Sequence, residues 1–203
     1  MENTAVVILN WNGKKFLQQF LPSLVNFTPQ TTRIVVADNA SNDDSEAFVK
    51  SEYPQIEWIQ NAQNFGFAGG YNKALSQIKS RYYVLLNSDI ELSENWLEPL
   101  INQLNGKEKL AAVQPSIRSY ANKAYFEYAG AAGGYIDADF YPFCRGRIFD
   151  TCEKDEGQYT NSTEIAWATG ACIAIKAKCF WEVGGLDADF FAHMEEIDLC
   201  LRL

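Results

Sequence analysis

Apolar and polar positions alternate along the first half of the chain in blocks that predict strands and helices in turn. Residues 4–9, residues 33–37 and Tyr82–Leu86 are compact apolar runs, which are typical of strands buried on both faces. A weaker run at Glu57–Gln60 has the pattern of an edge strand. We therefore expect at least four strands before residue 90.

Helical spacing of apolar residues fills the intervals between these runs. It begins at Lys14, near Ser45, after Gly66 and after Ser93, where Ser93 is a candidate N-cap. Pro22 falls inside the first of these stretches and predicts a bend or a break in that helix.

The second half of the chain is less regular. Residues 110–113 predict a strand, and residues 119–163 mix aromatic, glycine and acidic residues without a period, as functional or mobile loops do. Residues 165–176 predict another strand, followed by a short helix up to a glycine turn at Gly184. A last helical pattern starts at Glu195.

Alternating strands and helices are typical of an α/β fold, here a Rossmann-like one with a mostly parallel central sheet and helices on both faces. The absence of a linker or a repeat favours a single domain over residues 1–203. The sequence stops at Leu203 inside a helical pattern without a cap, so we expect it to be a piece of a longer protein.

Composition narrows the function classes. The net charge is −9 and no basic run is present, which argues against nucleic-acid binding. No apolar stretch reaches the roughly 20 residues that span a bilayer, and the N-terminus lacks the basic start of a signal peptide. The odd number of cysteines, five, without a CxxC pair favours a reducing cytoplasm.

Polar side chains follow three of the predicted strands: Asn10 and Asn12, Asp38 and Asn39, and Asn87, Ser88 and Asp89. In open α/β sheets, ligands bind beyond the carboxyl ends of the strands. Asp38 could accept hydrogen bonds from a base or a sugar, and Asp89 could hold a divalent cation that meets substrate phosphates. Plain turns of Asn, Ser and Asp remain the alternative.

Two further segments contain residues that could bind a ligand or take part in catalysis. Asn64, Gly66 and Ala68 open a helix with small residues, which lets an anion approach the backbone, although close helix–strand packing would need the same residues. The second segment places acids in the first turn of the last helix next to the only histidine: His193, Glu195, Glu196 and Asp198. These acids could supply a general base, or they could only favour the helix dipole.

Seven segments in order resemble the inverting, family-2 glycosyltransferases of the GT-A fold, in particular bacterial rhamnosyltransferase-like enzymes of cell-surface polysaccharide synthesis. The resemblance covers nearly the whole chain. The matching segments are VILNWNG from Val7, VADNAS from Val36, NFGFAGG from Asn64, LLNSD from Leu85, TGAC from Thr169, GGLD from Gly184 and EEIDLCLR from Glu195.

The resemblance implies roles for individual residues. Asp38 would bind the nucleotide, Asp89 would end the acidic metal motif, and Glu196 would be the catalytic base. Two departures bear on this: the first acidic position of the metal motif is Asn87, and the usual Glu-Asp pair is Glu195-Glu196. Because the added methylene displaces a carboxylate, Glu195 or Asp198 could share or take the role of base.

The resemblance also implies the partners. The first half, residues 1–115, would bind a dTDP-, UDP- or GDP-sugar through Asn10, Asn12, Asp38, Asn64, Gly66, Ala68, Asn87 and Ser88. Residues 116–203 would form the acceptor side, with Trp167, Asp187 and Asp198, and Tyr125 and Tyr128 as further candidates for stacking on sugars. Mn²⁺ or Mg²⁺ would be held by Asp89, with His193 as a candidate ligand.

The implied reaction is a single displacement with inversion that moves a sugar, with rhamnose as one candidate, to a hydroxyl of a glycan or lipid-linked acceptor. A lipid-linked acceptor would bring a cytoplasmic enzyme to the inner face of the membrane. Two other functions remain open: a nucleotidyltransferase, which would need a basic glycine-rich loop near the N-terminus, and a non-catalytic nucleotide-sugar-binding module.

Overall fold

The computed structural model describes residues 3–203. Strands β1 (Thr4–Asn10), β2 (Arg33–Asp38), β3 (Glu57–Gln60), β4 (Tyr82–Leu86) and β5 (Ala112–Val113) precede two short hairpins. The hairpins pair β6 (Gly134–Ile136) with β7 (Pro142–Cys144) and β8 (Arg147–Ile148) with β9 (Thr151–Cys152), and β10 (Cys172–Lys176) follows them. The central sheet has the order β3-β2-β1-β4-β10-β5.

The expected mostly parallel sheet is confirmed. Strands β3, β2, β1 and β4 run parallel to one another, and β10 runs antiparallel to β4 and β5, the two strands beside it. Because β10 comes from the second half of the chain and lies between β4 and β5, both halves contribute to one sheet.

Helices cover both faces of the sheet, as expected. One face packs against α1 (Lys14–Phe27), α2 (Ser45–Glu52) and α4 (Leu97–Gly106), and the other against α3 (Gly66–Leu75), α5 (Ala177–Glu182) and α6 (Glu195–Arg202). Successive residues of a strand point to opposite faces, so Val6 and Ile8 join the first core while Ala5 and Val7 join the second.

The expected break of α1 at Pro22 and the expected N-cap of α4 at Ser93 were wrong. Pro22 does not split α1, which is continuous; since Pro22 and Gln18 are both exposed, the carbonyl that loses its helical donor can bond to water. Ser93 does not cap α4, because that helix begins at Leu97 after a turn in which Asn95 has a positive φ of 58°.

The last strand is shorter than predicted. Only Cys172–Lys176 pairs in the sheet, and residues 165–171 are irregular. Their backbone has other partners: Ala166 donates to the carbonyl of Gly134, and Thr169 donates to the side chain of Gln114. Likewise, only Ala112–Val113 of the predicted strand at residues 110–113 is extended.

Within residues 3–203, none of the helices is long and apolar enough to cross a bilayer. All five cysteines are free thiols.

Candidate functional site

A cavity of about 1130 Å³ opens beyond the carboxyl end of β4. Its walls come from the segment after β4, from residues 115–129, from the irregular segment before β10 and from the start of α6. The cavity brings together five of the residues expected from the sequence to act in the site: Asn87, Asp89, His193, Glu195 and Glu196. Tyr125 and Tyr128 line it as well.

Asn87 and Asp89 owe their position to β4. All five residues of that strand are buried, so the chain leaves the core at Asn87, whose backbone N–H bonds to the carbonyl of Ala171 at 2.9 Å. Asp89 is exposed at the cavity wall. Its carboxylate accepts no hydrogen bond from the residues that the structure describes, so both oxygens are available to a ligand.

A strained turn directly before α6 positions the acidic residues at the start of that helix. His193 and Met194 have positive φ angles of 74° and 73°, a left-handed conformation that is unfavourable for non-glycine residues. The turn places Glu195 and Glu196 at the cavity while Leu199, one turn later, enters the core.

Glu195 is only 4% exposed, and its Oε2 has no hydrogen-bond partner among residues 3–203. Burial raises the pKa of Glu195, the neighbouring Glu196 adds to that increase, and His193 opposes it. A raised pKa makes a carboxylate a stronger base, so Glu195 could take a proton inside the cavity.

Glu127 also lines the cavity, and sequence reasoning missed it. It lies in the segment without a period, where a single acid between aromatic residues gives no signal. Burial raises the pKa of Glu127, and the charge of Asp89 adds to the increase, while hydrogen bonds from Ala129 and Tyr128 and the charge of Arg147 oppose it. Glu127 and Asp89 line the same cavity.

The cavity is rich in negative charge. Its five carboxylates are Asp89, Glu91, Glu127, Glu195 and Glu196. Of these, Glu91 forms an ion pair with Lys123, whereas the other four have no ion-pair partner within the described part of the chain. Such a site attracts a cation or hydroxyl-bearing ligands rather than a bare anion.

A second polar group lies at the ends of β1 and β2. Asp38 is 1% exposed, and its Oδ1 accepts hydrogen bonds from Asn10 and Ser41, while its Oδ2 accepts from the backbone of Ser41 and from Gln60. These four bonds use the usual capacity of a carboxylate. Asp38 therefore organises this edge, and sequence reasoning had not singled out Ser41 and Gln60.

The other residues expected to contact the nucleotide surround this network. Asn12 accepts a hydrogen bond from the backbone of Asn42. Ser88 is partly exposed and would lie 3.8 Å from a Cβ at Gly13, so the end of β4 adjoins that of β1.

The start of α3 is covered by the chain. Asn64 accepts from the backbone of Gly66, and the N–H of Phe67 donates to the carbonyl of Phe191 at 2.8 Å. Ala68 is fully buried. This helix start therefore contacts the loop before α6 and offers less free backbone than the sequence predicted.

The three residues expected on the acceptor side lie away from the cavity wall. Trp167 is 7% exposed, packs on Gly134 and donates from its indole to the carbonyl of Tyr135. Asp187 accepts from the backbone of Asp189, and Asp198 forms an ion pair with Arg202. Packing and local bonds account for these three side chains.

No cluster of three or more His, Cys, Asp and Glu side chains suited to a metal is present within residues 3–203. Magnesium-type sites, however, use one or two carboxylates and complete their ligands with substrate phosphates and water. Among residues 3–203 the carboxylate of Asp89 has no partner, and it fits an ion of that kind, whose other ligands would be a substrate diphosphate and water.

Comparison with solved structures defines the class of protein. A mannosyltransferase from Pyrobaculum calidifontis, PcManGT, solved with GDP-Man and Mn²⁺, superposes with a TM-score of 0.66 at 15% identity over 98% of this chain. This chain covers 51% of that structure, so it spans about half of its length. The fold is that of the GT-A glycosyltransferases.

The family follows from sequence comparison. The model of glycosyl transferase family 2 matches residues 5–184, and the chain belongs to that family. The N-acetylglucosaminyl-diphospho-decaprenol L-rhamnosyltransferase of Mycobacterium tuberculosis is 23% identical over 98% of this chain and 69% of its own length. Rhamnosyltransferase WbbL of Escherichia coli K12 is 25% identical over 98% of this chain and 75% of its own. The resemblance stated from the motifs is confirmed.

Proposed function

We propose that the chain is the catalytic part of an inverting glycosyltransferase that moves a sugar from a nucleoside diphosphate to a hydroxyl of a glycan or lipid-linked acceptor in cell-surface polysaccharide synthesis. The observation that carries this proposal is the shared cavity of Asp89, at the end of β4, and Glu195 and Glu196, at the start of α6. A group for the leaving diphosphate and a base for the acceptor thus face one space.

The sequence comparison supports this proposal. The relatives named above are rhamnosyltransferases, and one of them is named for a decaprenol-linked acceptor. We therefore favour a deoxyhexose or hexose donor and an acceptor carried on a lipid diphosphate, which would bring the enzyme to the cytoplasmic face of a membrane. The donor base, whether thymine, uracil or guanine, is for binding experiments to identify.

In the mechanism, Asp89 would hold Mn²⁺ or Mg²⁺, and His193 lies at the same cavity as a further candidate ligand. When bound, the ion would neutralise charge on the leaving nucleoside diphosphate. Glu196, partly exposed at the cavity, would take the proton of the acceptor hydroxyl as that oxygen attacks the anomeric carbon. Glu195, buried beside Glu196 at the same cavity, is the alternative base.

Binding and catalysis need separate tests. A thermal-shift panel of UDP, GDP and dTDP with and without Mn²⁺ should show stabilisation by one diphosphate that requires the metal. Asp89→Ala should abolish that shift, whereas Glu94→Ala, at an exposed acid outside the cavity, should keep it. If none of the diphosphates stabilises the protein with Mn²⁺ or Mg²⁺, the proposal is wrong.

Measurements of kcat test which glutamate is the catalytic base. With the nucleotide sugar that matches the binding diphosphate, Glu196→Gln should lower kcat by about 10²–10⁴-fold, the usual contribution of a general base, while diphosphate binding persists. A loss of that size in Glu195→Gln together with a small effect in Glu196→Gln would transfer the role to Glu195. Diphosphate binding without any transfer would favour a non-catalytic binding module.

A further inference from the structure

The two hairpins in the second half of the chain expose large apolar side chains. Phe140, in the turn between β6 and β7, is 83% exposed, and Phe149, in the turn between β8 and β9, is 89% exposed. Tyr141 and Ile148 beside them are mostly exposed as well. The hairpins are neighbours, because β7 contacts β8. Isolated apolar residues are common on protein surfaces, but grouped ones mark contact sites for proteins or membranes.

Neither turn needs a phenylalanine for its own geometry. Phe140 has a φ of 65°, and Phe149, the first residue of a two-residue turn, has a φ of 49°. Glycine and asparagine are the usual residues at such left-handed positions. A bulky side chain there is strained, and an exposed ring buries no apolar area that would offset the strain. A contact outside this fold would account for both rings.

The first of these turns has a defined structure. The Oδ1 of Asp137 accepts hydrogen bonds from the backbone N–H groups of Asp139 and Tyr141, both at 2.9 Å. In the strands that lead into the turn, the rings of Tyr135 and Phe143 stack with their centroids 5.7 Å apart. The exposed phenylalanine of this turn is therefore carried by an ordered hairpin.

The second hairpin adjoins the cavity. Arg147, the first residue of β8, stacks its guanidinium on the ring of Tyr128 at 4.1 Å, and Tyr128 lines the cavity. Cys152, the strand partner of Arg147, lines it too. Arg147 forms no ion pair within residues 3–203. A guanidinium in this position is suited to a phosphate group, such as that of a lipid.

A lipid bilayer fits these turns better than a protein partner. A stable protein interface needs about 800 Å² of complementary surface on each partner. Single rings exposed at turns are suited instead to insertion between lipid headgroups, where aromatic side chains and arginine are favoured. The acids Asp139 and Asp150 lie next to the two phenylalanines, so burial of the rings rather than charge should provide most of the binding.

We propose that the turns at Phe140 and Phe149 form a membrane-docking surface, in which both rings insert into the interface of a lipid bilayer. The purpose of this docking rests on the proposed function, since it would bring the cavity rim at Tyr128 to the bilayer that carries a lipid-linked acceptor. It assigns a role to the irregular hairpins of the acceptor side.

The test is sedimentation of the whole chain with vesicles of phosphatidylcholine, which measures the partition coefficient. The double substitution Phe140→Ser and Phe149→Ser should lower that coefficient at least about tenfold, because both rings lose their apolar burial. Phe16→Ser, at an aromatic residue of α1 that is 48% exposed, is the matched control and should leave it unchanged. Circular dichroism verifies that the variants fold.

A conservative variant makes the test specific to a membrane. Replacement of both phenylalanines by tryptophan should keep or increase vesicle binding, because tryptophan favours the bilayer interface. Vesicle binding that the double serine variant leaves unchanged would overturn the proposal. Dimerisation in analytical ultracentrifugation that this variant abolishes, without vesicle binding by the wild type, would also overturn it and assign the surface to a second copy of the chain.

The docking surface and the proposed function can fail separately. Transfer to a water-soluble acceptor by a wild-type chain that does not bind vesicles would overturn the docking surface and leave the proposed function intact. Vesicle binding through Phe140 and Phe149, without binding of any nucleoside diphosphate, would support the docking surface and overturn the proposed function.

Discussion

The side-chain amide of Asn10 donates a 2.7 Å hydrogen bond to the carboxylate of Asp38, and this buried contact joins the ends of β1 and β2. Ser41 and Gln60 fill the remaining acceptor positions of the same carboxylate. Asp38 thus ties three neighbouring chain segments together beside the cavity. A nucleotide that contacted this carboxylate directly would have to displace one of these donors.

Asp38→Asn should therefore destabilise the fold. The substitution replaces one acceptor oxygen by an NH₂ group that faces existing donors, and hydrogen bonds to a charged group contribute about 1.5–3 kcal/mol each. We expect a loss of at least about 2 kcal/mol in the free energy of unfolding, measured by urea denaturation. Asp44→Asn, at a carboxylate that is 81% exposed, is the control and should change little. Normal stability of Asp38→Asn with weakened nucleotide binding would instead favour a direct binding role.

Glu195→Gln should stabilise the protein at neutral pH. Because the pKa of Glu195 in the fold is raised above its ordinary value of 4.5, its protonated form is favoured by folding. The contribution of this group to stability is fully present below about pH 4.5 and is lost as the pH rises through the raised pKa. Glutamine cannot ionise, so the Tm of the variant should exceed that of the wild type at pH 7–8 by a few degrees.

The difference in Tm between Glu195→Gln and the wild type should shrink as the pH falls toward 4. Thermal unfolding of both proteins between pH 4 and pH 8 measures it. A constant difference in Tm across this range would show that ionisation of Glu195 does not oppose folding.

Gly66→Ala should disturb the loop before α6. Gly66 has a φ of +72°, and a Cβ there would lie 2.5 Å from the carbonyl oxygen of Phe191. We expect a destabilisation of about 1–3 kcal/mol from backbone strain, and faster limited proteolysis near Phe191. Gly106→Ala is the matched control: it adds a methyl group in open space at the end of α4 and should leave stability unchanged or slightly improved.

Trp167→Ala should mainly lower the free energy of unfolding. The indole ring is buried against Gly134, where a Cβ would lie 2.0 Å from a ring atom, and its N–H bonds to the carbonyl of Tyr135. Removing a buried tryptophan costs about 3–5 kcal/mol. Tyr141→Ala, at a side chain that is 71% exposed, should cost far less. A stable Trp167→Ala protein with a higher KM for the acceptor would instead support stacking on a sugar.

Local patterns in the sequence determined much of the fold. Alternating apolar runs and helical spacing located β1 to β4 and their helices, because strands buried on both faces must be continuously apolar. The ordered motifs also identified the family. Where the prediction of a strand failed, at residues 165–171, the deciding contacts came from the distant residues Gln114 and Gly134.

Only the tertiary structure decided which candidate side chains meet. A sequence pattern does not reveal whether a carboxylate already has all its hydrogen-bond donors, as Asp38 has, or accepts none from the described residues, as is the case for Asp89. Glu127 joined the site without any local signal. The physical reason is that hydrogen-bond partners and burial depend on segments remote in sequence, whereas periodicity reports only which face of an element is apolar.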